Sequence, residues 1–133
     1  DYFKTIQGKF VAPPPIEGRF ADNPHSEQQC LLGRGYSKTV MVTVLNEPSR
    51  LLPKEEVEAA ALATVESINA DIEKHARIGA IIFSQTPWTI ENEILTPTMK
   101  IRREQIENTF GEDAERLARD GAEQGAIQLH WFD

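Results

Sequence analysis

The chain has 133 residues, with 40% hydrophobic and 26% charged residues, enough for one domain with a core that needs no disulfide or metal staple. Its net charge of −7 argues against nonspecific nucleic-acid binding. The single cysteine, Cys30, excludes an internal disulfide and fits a reducing cytosol, and no apolar run approaches the roughly 20 residues of a bilayer span. The opening "DYFKTIQGKF" carries no initiator methionine and reads like a cut near a domain boundary; the expectation is a piece of a longer protein.

Taken in chain order, Tyr2–Ile6 and Lys9–Val11 are β-prone runs around Gln7-Gly8, which predicts a hairpin. "APPPIEGRFADNP" follows. Proline suits a first helical turn, and Ile16 and Phe20 stand at i and i+4, so a short helix is expected over about 14–21, ended by Asp22-Asn23-Pro24. "QQCLLGRG" and "KTVMVTVL" predict two adjacent strands, paired antiparallel. From "KEEVE" onward, Val57, Ala61, Val65, Ile68 and Ile72 step by three or four and define the apolar face of a long helix. "RIGAIIFSQ" reads as a compact strand, and "TPWTIENEILTPTMK" as a loop punctuated by Pro87 and Pro97. "IRREQIENTFG" predicts a short helix stopped at Gly111, "EDAERLARDGAEQGA" a helical continuation interrupted at Gly121 and Gly125, and "AIQLHWFD" a last strand. The fold class is α+β: a small sheet, made of the antiparallel pair, the hairpin and a further strand, packed with about three helices.

No phosphate loop, dinucleotide fingerprint, HExxH or CxxC stands in the chain, and His25, His75 and His130 lack metal-ligand spacing. Cys30 lies within a predicted strand and reads as a buried small hydrophobe. Two local features rise above this background. In "KTIQGKFV", Gly8 permits special backbone angles or close approach to a ligand, with Lys4 and Lys9 beside it. In "ILTPTMKIRR", Lys100, Arg102 and Arg103 crowd at a predicted helix start, where cations oppose the macrodipole. Pro97 fixes a loop at Thr96, Thr98 is placed to cap the following helix, and cations beside free helix N–H groups would hold an anion. A solvated cluster near Glu91, Glu93 and Glu104 explains the same residues.

"LTPTMKIRR" resembles the C-terminal lysine motif of the long-chain acyl-CoA synthetase branch of the adenylate-forming (AMP-binding) enzymes. "DYFKTIQGKFVAPPPIE" resembles the segment just after that family's interdomain hinge, and the stretch from "INADIEKHARIGAIIFSQ" through "ENEILTPTMKIRR" is similar to the same branch. Two ordered motifs at the family's separation, spanning Asp1 to about Gly111, carry the resemblance. It departs from many relatives at Thr98-Met99, where they have Ser-Gly, and at the proline-rich Pro13–Pro15.

The resemblance implies a single C-terminal lid domain over 1–133: a post-hinge hairpin (1–12), an α+β body (13–111) and a C-terminal extension (112–133). It implies a missing N-terminal adenylation domain as partner, with Asp1 at or next to the hinge. It implies Lys100 as the catalytic lysine of adenylation, supported by the Thr96-Pro97-Thr98 turn, and, after a large lid rotation, Gly8, Lys4 and Lys9 along the path of the CoA pantetheine. The whole enzyme would use ATP, CoA and Mg2+ on a fatty acid, in the cytoplasm or peripherally at a membrane. The isolated fragment would be inactive, with no ligand of its own, no nucleic-acid partner and no metal site. The rival readings are the lid of an adenylating enzyme that loads a carrier protein, and a non-catalytic α+β module that binds an anion or regulates.

Overall fold

In a computed structural model, which describes residues 2–133, the chain folds around a four-stranded sheet; Asp1 and its hinge role lie outside the described residues. A two-stranded hairpin opens the chain, β1 (Phe3–Lys4) pairing antiparallel with β2 (Phe10–Val11). Helix α1 (Pro13–Phe20) begins on the proline run, where the missing N–H donors would have had no helical partner. Strands β3 (Ser26–Leu32) and β4 (Thr39–Leu45) form the expected antiparallel pair. Helix α2 (Lys54–Asp71) leads through a short turn at Lys74–Ala76 to β5 (Ile78–Ser84). Helix α3 (Arg103–Gln124) and β6 (Gln128–Trp131) complete the fold.

The strand order is β3-β4-β5-β6, and the β4–β5 and β5–β6 pairs are parallel. The sheet is therefore mixed rather than wholly antiparallel, because α2 and α3 are crossover helices that return each next strand in the same direction. Side-chain alternation splits the core into two layers. Cys30, Val40, Val42, Ala80 and Ile82 face Ile106, Phe110, Ala114 and Ala118 of α3. Leu31, Met41, Ile81 and Phe83 face Ile16 and Phe20 of α1 and Val57, Ala61, Val65 and Ile68 of α2. Every residue of β4 and β5 is buried, which explains their near-continuous apolar runs.

Helix α3 differs from the expectation. It runs unbroken through Gly111 and ends at Gly125, which takes the left-handed conformation. Its buried stripe continues on both sides of Gly111, through Phe110, Ala114, Leu117 and Ala118, and that burial outweighs the helix penalty of about 1 kcal/mol for one glycine. Gly121 is a packing device: a Cβ there would lie 2.6 Å from the Gly79 carbonyl oxygen, so the helix rests directly on β5. The tail is a structural strand. Trp131 stacks on Phe83 with ring centroids 4.6 Å apart, and its indole N–H donates to Glu58.

Candidate functional site

Lys100 closes a three-residue loop. The Thr96 N–H donates to the Lys100 carbonyl at 2.8 Å, the Met99 N–H to the Thr96 carbonyl at 2.8 Å, and the Lys100 N–H to Thr96 Oγ1 at 3.1 Å. Both backbone polar groups of Lys100 are thus held by Thr96. Pro97 takes the second position of the turn, where its fixed φ is suited, and Met99 has φ +67°. This is a hairpin loop of the kind that ends on a left-handed residue, and the place is one where glycine is the easier choice. Leu95 and Ile101 bridge across its base. Buried Ile94 and Leu95 anchor the incoming arm in the layer under α3.

The outgoing arm is anchored by Arg103. One guanidinium nitrogen donates to the Leu31 carbonyl at 2.6 Å, to Cys30 Sγ at 3.1 Å and to Glu17 at 3.1 Å. The Glu17 carboxylate also accepts the Leu31 N–H at 2.7 Å. Because β3 is an edge strand, Glu17 and Arg103 together satisfy backbone groups that the sheet leaves open. Expected in a cationic or solvated cluster at the helix start, Arg103 is instead an internal tie between α1, β3 and α3.

The helix start also lies elsewhere than expected. Arg102 is the N-cap and makes no side-chain cap, so Thr98 does not cap α3; its hydroxyl sits 3.1 Å from Thr96 Oγ1 instead. The left-handed turn at Met99 postpones the helix until the arm has crossed back to Leu95. Lys100 therefore stands before the helix, outside its N-terminal N–H groups. Among the described residues Lys100 and Arg102 have no carboxylate within salt-bridge distance, so Glu91, Glu93 and Glu104 do not neutralise them.

The Gly8 loop has the same construction. The Thr5 N–H donates to the Lys9 carbonyl at 2.9 Å, the Gly8 N–H to the Thr5 carbonyl at 2.9 Å, and the Lys9 N–H to Thr5 Oγ1 at 3.4 Å. Gly8 holds the left-handed position with φ +79°, and a Cβ there would meet nothing within 4 Å, so glycine serves the angle rather than a tight fit within this chain. Thr5…Lys9 and Thr96…Lys100 share one threonine–lysine spacing, the only trace that the repeated loop leaves in the sequence. The hairpin is hung on the β3–β4 turn, the Ile6 N–H donating to the Tyr36 carbonyl and the Gly35 N–H to the Lys4 carbonyl. Lys4 Nζ lies 5.1 Å from the Phe10 ring centroid, against its own hairpin. The two lysine loops stay apart: no hydrogen bond or ion pair joins them among the described residues.

The other titratable groups read as structural. Burial pushes the Cys30 thiol up to about 12, with Arg103 opposing and Glu17 adding to the rise, so the thiol is inert. His25 bonds Ser49 Oγ at 2.7 Å, His75 Nε2 lies 3.0 Å from the Phe10 carbonyl, and His130 lies 3.6 Å from Asp113.

Three kinds of similarity accompany this geometry. A family profile described as the AMP-binding enzyme C-terminal domain matches residues 1–120. The chain is 30% identical to a carboxylic acid reductase of Mycobacterium marinum over 131 residues, covering 95% of this chain and 11% of that protein. It is 26% identical to the peroxisomal long chain acyl-CoA synthetase 6 of Arabidopsis thaliana, covering 83% of this chain and 18% of that one. Among solved structures, the A-PCP didomain of the Segniliparus rugosus carboxylic acid reductase, in complex with AMP, superposes with a TM-score of 0.74 at 26% identity, over 92% of this chain and 18% of that one. The chain thus spans under a fifth of each of these relatives, and it belongs to the AMP-binding enzyme C-terminal domain family.

Proposed function

We propose that this chain is the mobile C-terminal lid of an ATP-dependent enzyme that activates a fatty acid as its acyl adenylate and passes the acyl group to the thiol of CoA. Its partner would be the N-terminal adenylation domain of the same enzyme, acting in the cytoplasm or peripherally at a membrane. The observation that supports this most is Lys100, exposed, without a carboxylate partner among the described residues, and clamped through both backbone groups by Thr96. A fixed, unneutralised ammonium suits a reaction in which two anions must meet.

In the first half-reaction a carboxylate oxygen attacks the α-phosphorus of ATP, and pyrophosphate leaves. Lys100 would contact the carboxylate and phosphate oxygens and offset their charge. The lid then rotates, with Asp1 at or beside the hinge, and the face carrying Gly8 replaces the face carrying Lys100. Gly8 would line the pantetheine path, with Lys4 and Lys9 toward the phosphates. The thiol sulfur bonds the acyl carbon, the acyl–oxygen bond to AMP breaks, and the thiol proton is released to solvent. Among the described residues no three His, Cys, Asp or Glu side chains gather to hold a metal ion. The ATP and acyl pockets would lie in the adenylation domain, with magnesium serving the whole enzyme, so the isolated lid would be inactive.

A carrier-borne thiol is the second reading of the acceptor, favoured by the likeness to an A-PCP didomain. The test is ATP–pyrophosphate exchange by the full-length enzyme across a panel of carboxylic acids, followed by thioester formation. The reading expects acid-dependent exchange, retained in Gly8→Trp while thioester formation is lost. Absence of exchange with every acid, or equal loss of both steps in Gly8→Trp, would overturn it. Transfer to a carrier but not to free CoA would select the second acceptor.

A further inference from the structure

The two lysine loops share a construction and differ where it strains the chain. The loops over 5–9 and 96–100 close through the same three bonds: threonine N–H to lysine carbonyl, fourth-residue N–H to threonine carbonyl, and lysine N–H to threonine hydroxyl. In both, the fourth residue is left-handed, with φ +79° at Gly8 and +67° at Met99. Glycine takes that angle at no steric cost, whereas a methionine Cβ presses on its own backbone. Neighbouring atoms do not make the choice, since a Cβ at Gly8 would meet nothing within 4 Å. One loop therefore uses the residue its geometry favours, and the other keeps a long side chain against that preference.

Packing within the lid does not explain the methionine. Met99 is 64% exposed and belongs to neither core layer, whereas Met41, the chain's other methionine, is fully buried. A single exposed apolar residue is ordinary on a protein surface. One held by a clamp at an unfavourable angle, next to an exposed lysine, is of another kind, and strain of this sort gathers at functional sites. Met99 and Lys100 are consecutive, about 3.8 Å apart at Cα, and the backbones of both are tied to Thr96. A surface that surrounds the Lys100 ammonium therefore comes within reach of the Met99 side chain. Methionine suits such a contact, being unbranched and flexible, with a sulfur that packs well against aromatic rings.

We propose that Met99 is a positioning residue for adenylation, its side chain packing on an apolar surface of the N-terminal adenylation domain and so seating Lys100 against the reacting oxygens. The proposal rests on the adenylation reading above and adds to it an apolar contact beside the charged one. The receiving surface would lie outside this chain, which spans under a fifth of these relatives. Charge acts at a distance and draws the ammonium toward any anion, whereas apolar contact is short-ranged and fixes where the loop lands.

The test uses the full-length enzyme with Met99→Gly, which relaxes the backbone and removes the side chain, and Met99→Gln, which keeps its length and removes its apolar character. Both should slow acid-dependent ATP–pyrophosphate exchange at least about fivefold, with thioester formation from supplied acyl adenylate unchanged, and Met99→Leu should restore exchange. Neither should lower the thermal midpoint. A second readout is independent of turnover: oxidation of Met99 by hydrogen peroxide, followed by mass spectrometry, with buried Met41 as the internal reference. The acid together with α,β-methylene-ATP, which cannot be cleaved at the α-phosphorus, should protect Met99. Wild-type exchange in Met99→Gly or Met99→Gln, equal loss in both half-reactions, or Met99→Leu no better than Met99→Gln would each overturn the proposal. So would a lowered thermal midpoint, which would mean that the side chain serves the lid itself, or oxidation indifferent to the ligands. If exchange is normal in these variants while Lys100→Ala abolishes it, the methionine contact fails and the ligase reading stands. If Lys100→Ala leaves exchange intact, that reading fails instead.

Discussion

At the scale of single residues, three neighbouring cations have three different fates. Lys100 is held out on a clamped loop, Arg102 is the exposed N-cap, and Arg103 is folded inward onto Glu17 and Leu31. Thr96 is the residue that separates the first from the others, so its hydroxyl is a positioning group for Lys100. Thr96→Val removes the acceptor of the Lys100 N–H. At about 1 kcal/mol for a lost hydrogen bond, acyl-adenylate formation by the full-length enzyme should fall roughly fivefold, and Thr96→Ser should restore it. Wild-type kinetics in Thr96→Val would remove that role. The loop before Lys100 was legible in the sequence through Pro97. Arg103 was not, because its partner Glu17 lies 86 positions away and no local pattern connects them.

At the scale of elements, apolar periodicity predicted most of what was found. The Val57–Ile68 face of α2 and the uniformly apolar β4 and β5 mark buried surfaces in their own spacing. The direction of β5 was not legible, since strand pairing depends on which crossover returns the chain and leaves no mark within the strand. Gly111 misled because a glycine is a helix stop only where the apolar stripe also ends. Gly121, expected as an interruption, is the point of closest helix–sheet contact. Gly121→Ala should therefore destabilise the fold by about 2 kcal/mol, the cost of forcing α3 off β5, read as a lower midpoint in chemical denaturation. Gly111→Ala, where an added Cβ meets only the Tyr36 hydroxyl at 3.8 Å, should stabilise slightly. Equal effects at the two glycines would contradict the packing described.

At the scale of the whole molecule, two layers of core on one sheet make a rigid body from which two lysine loops project. No helix among the described residues is long and apolar enough to cross a membrane. Its internal acids set an alkaline limit. Burial lifts the Cys30 thiol from 9.0, and the Tyr36 hydroxyl from 10.0, each to about 12. Both groups stay neutral in the fold where the unfolded chain would ionise, so the unfolded state binds fewer protons there and stability falls as pH rises. Stability should be flat below about pH 9 and decline from there toward about 12, and Cys30→Ala should shallow the early part of that decline. A denaturation midpoint that holds constant across this range would contradict the burial assigned to both groups. In the proposed function, one such domain would offer two faces in turn. Lys100 carries that account, and half-reaction kinetics of Lys100→Ala in the full-length enzyme test it most directly. Acyl-adenylate formation should drop about 10²–10³-fold, with thioester formation from supplied acyl adenylate nearly unchanged; equal loss in both half-reactions would contradict it.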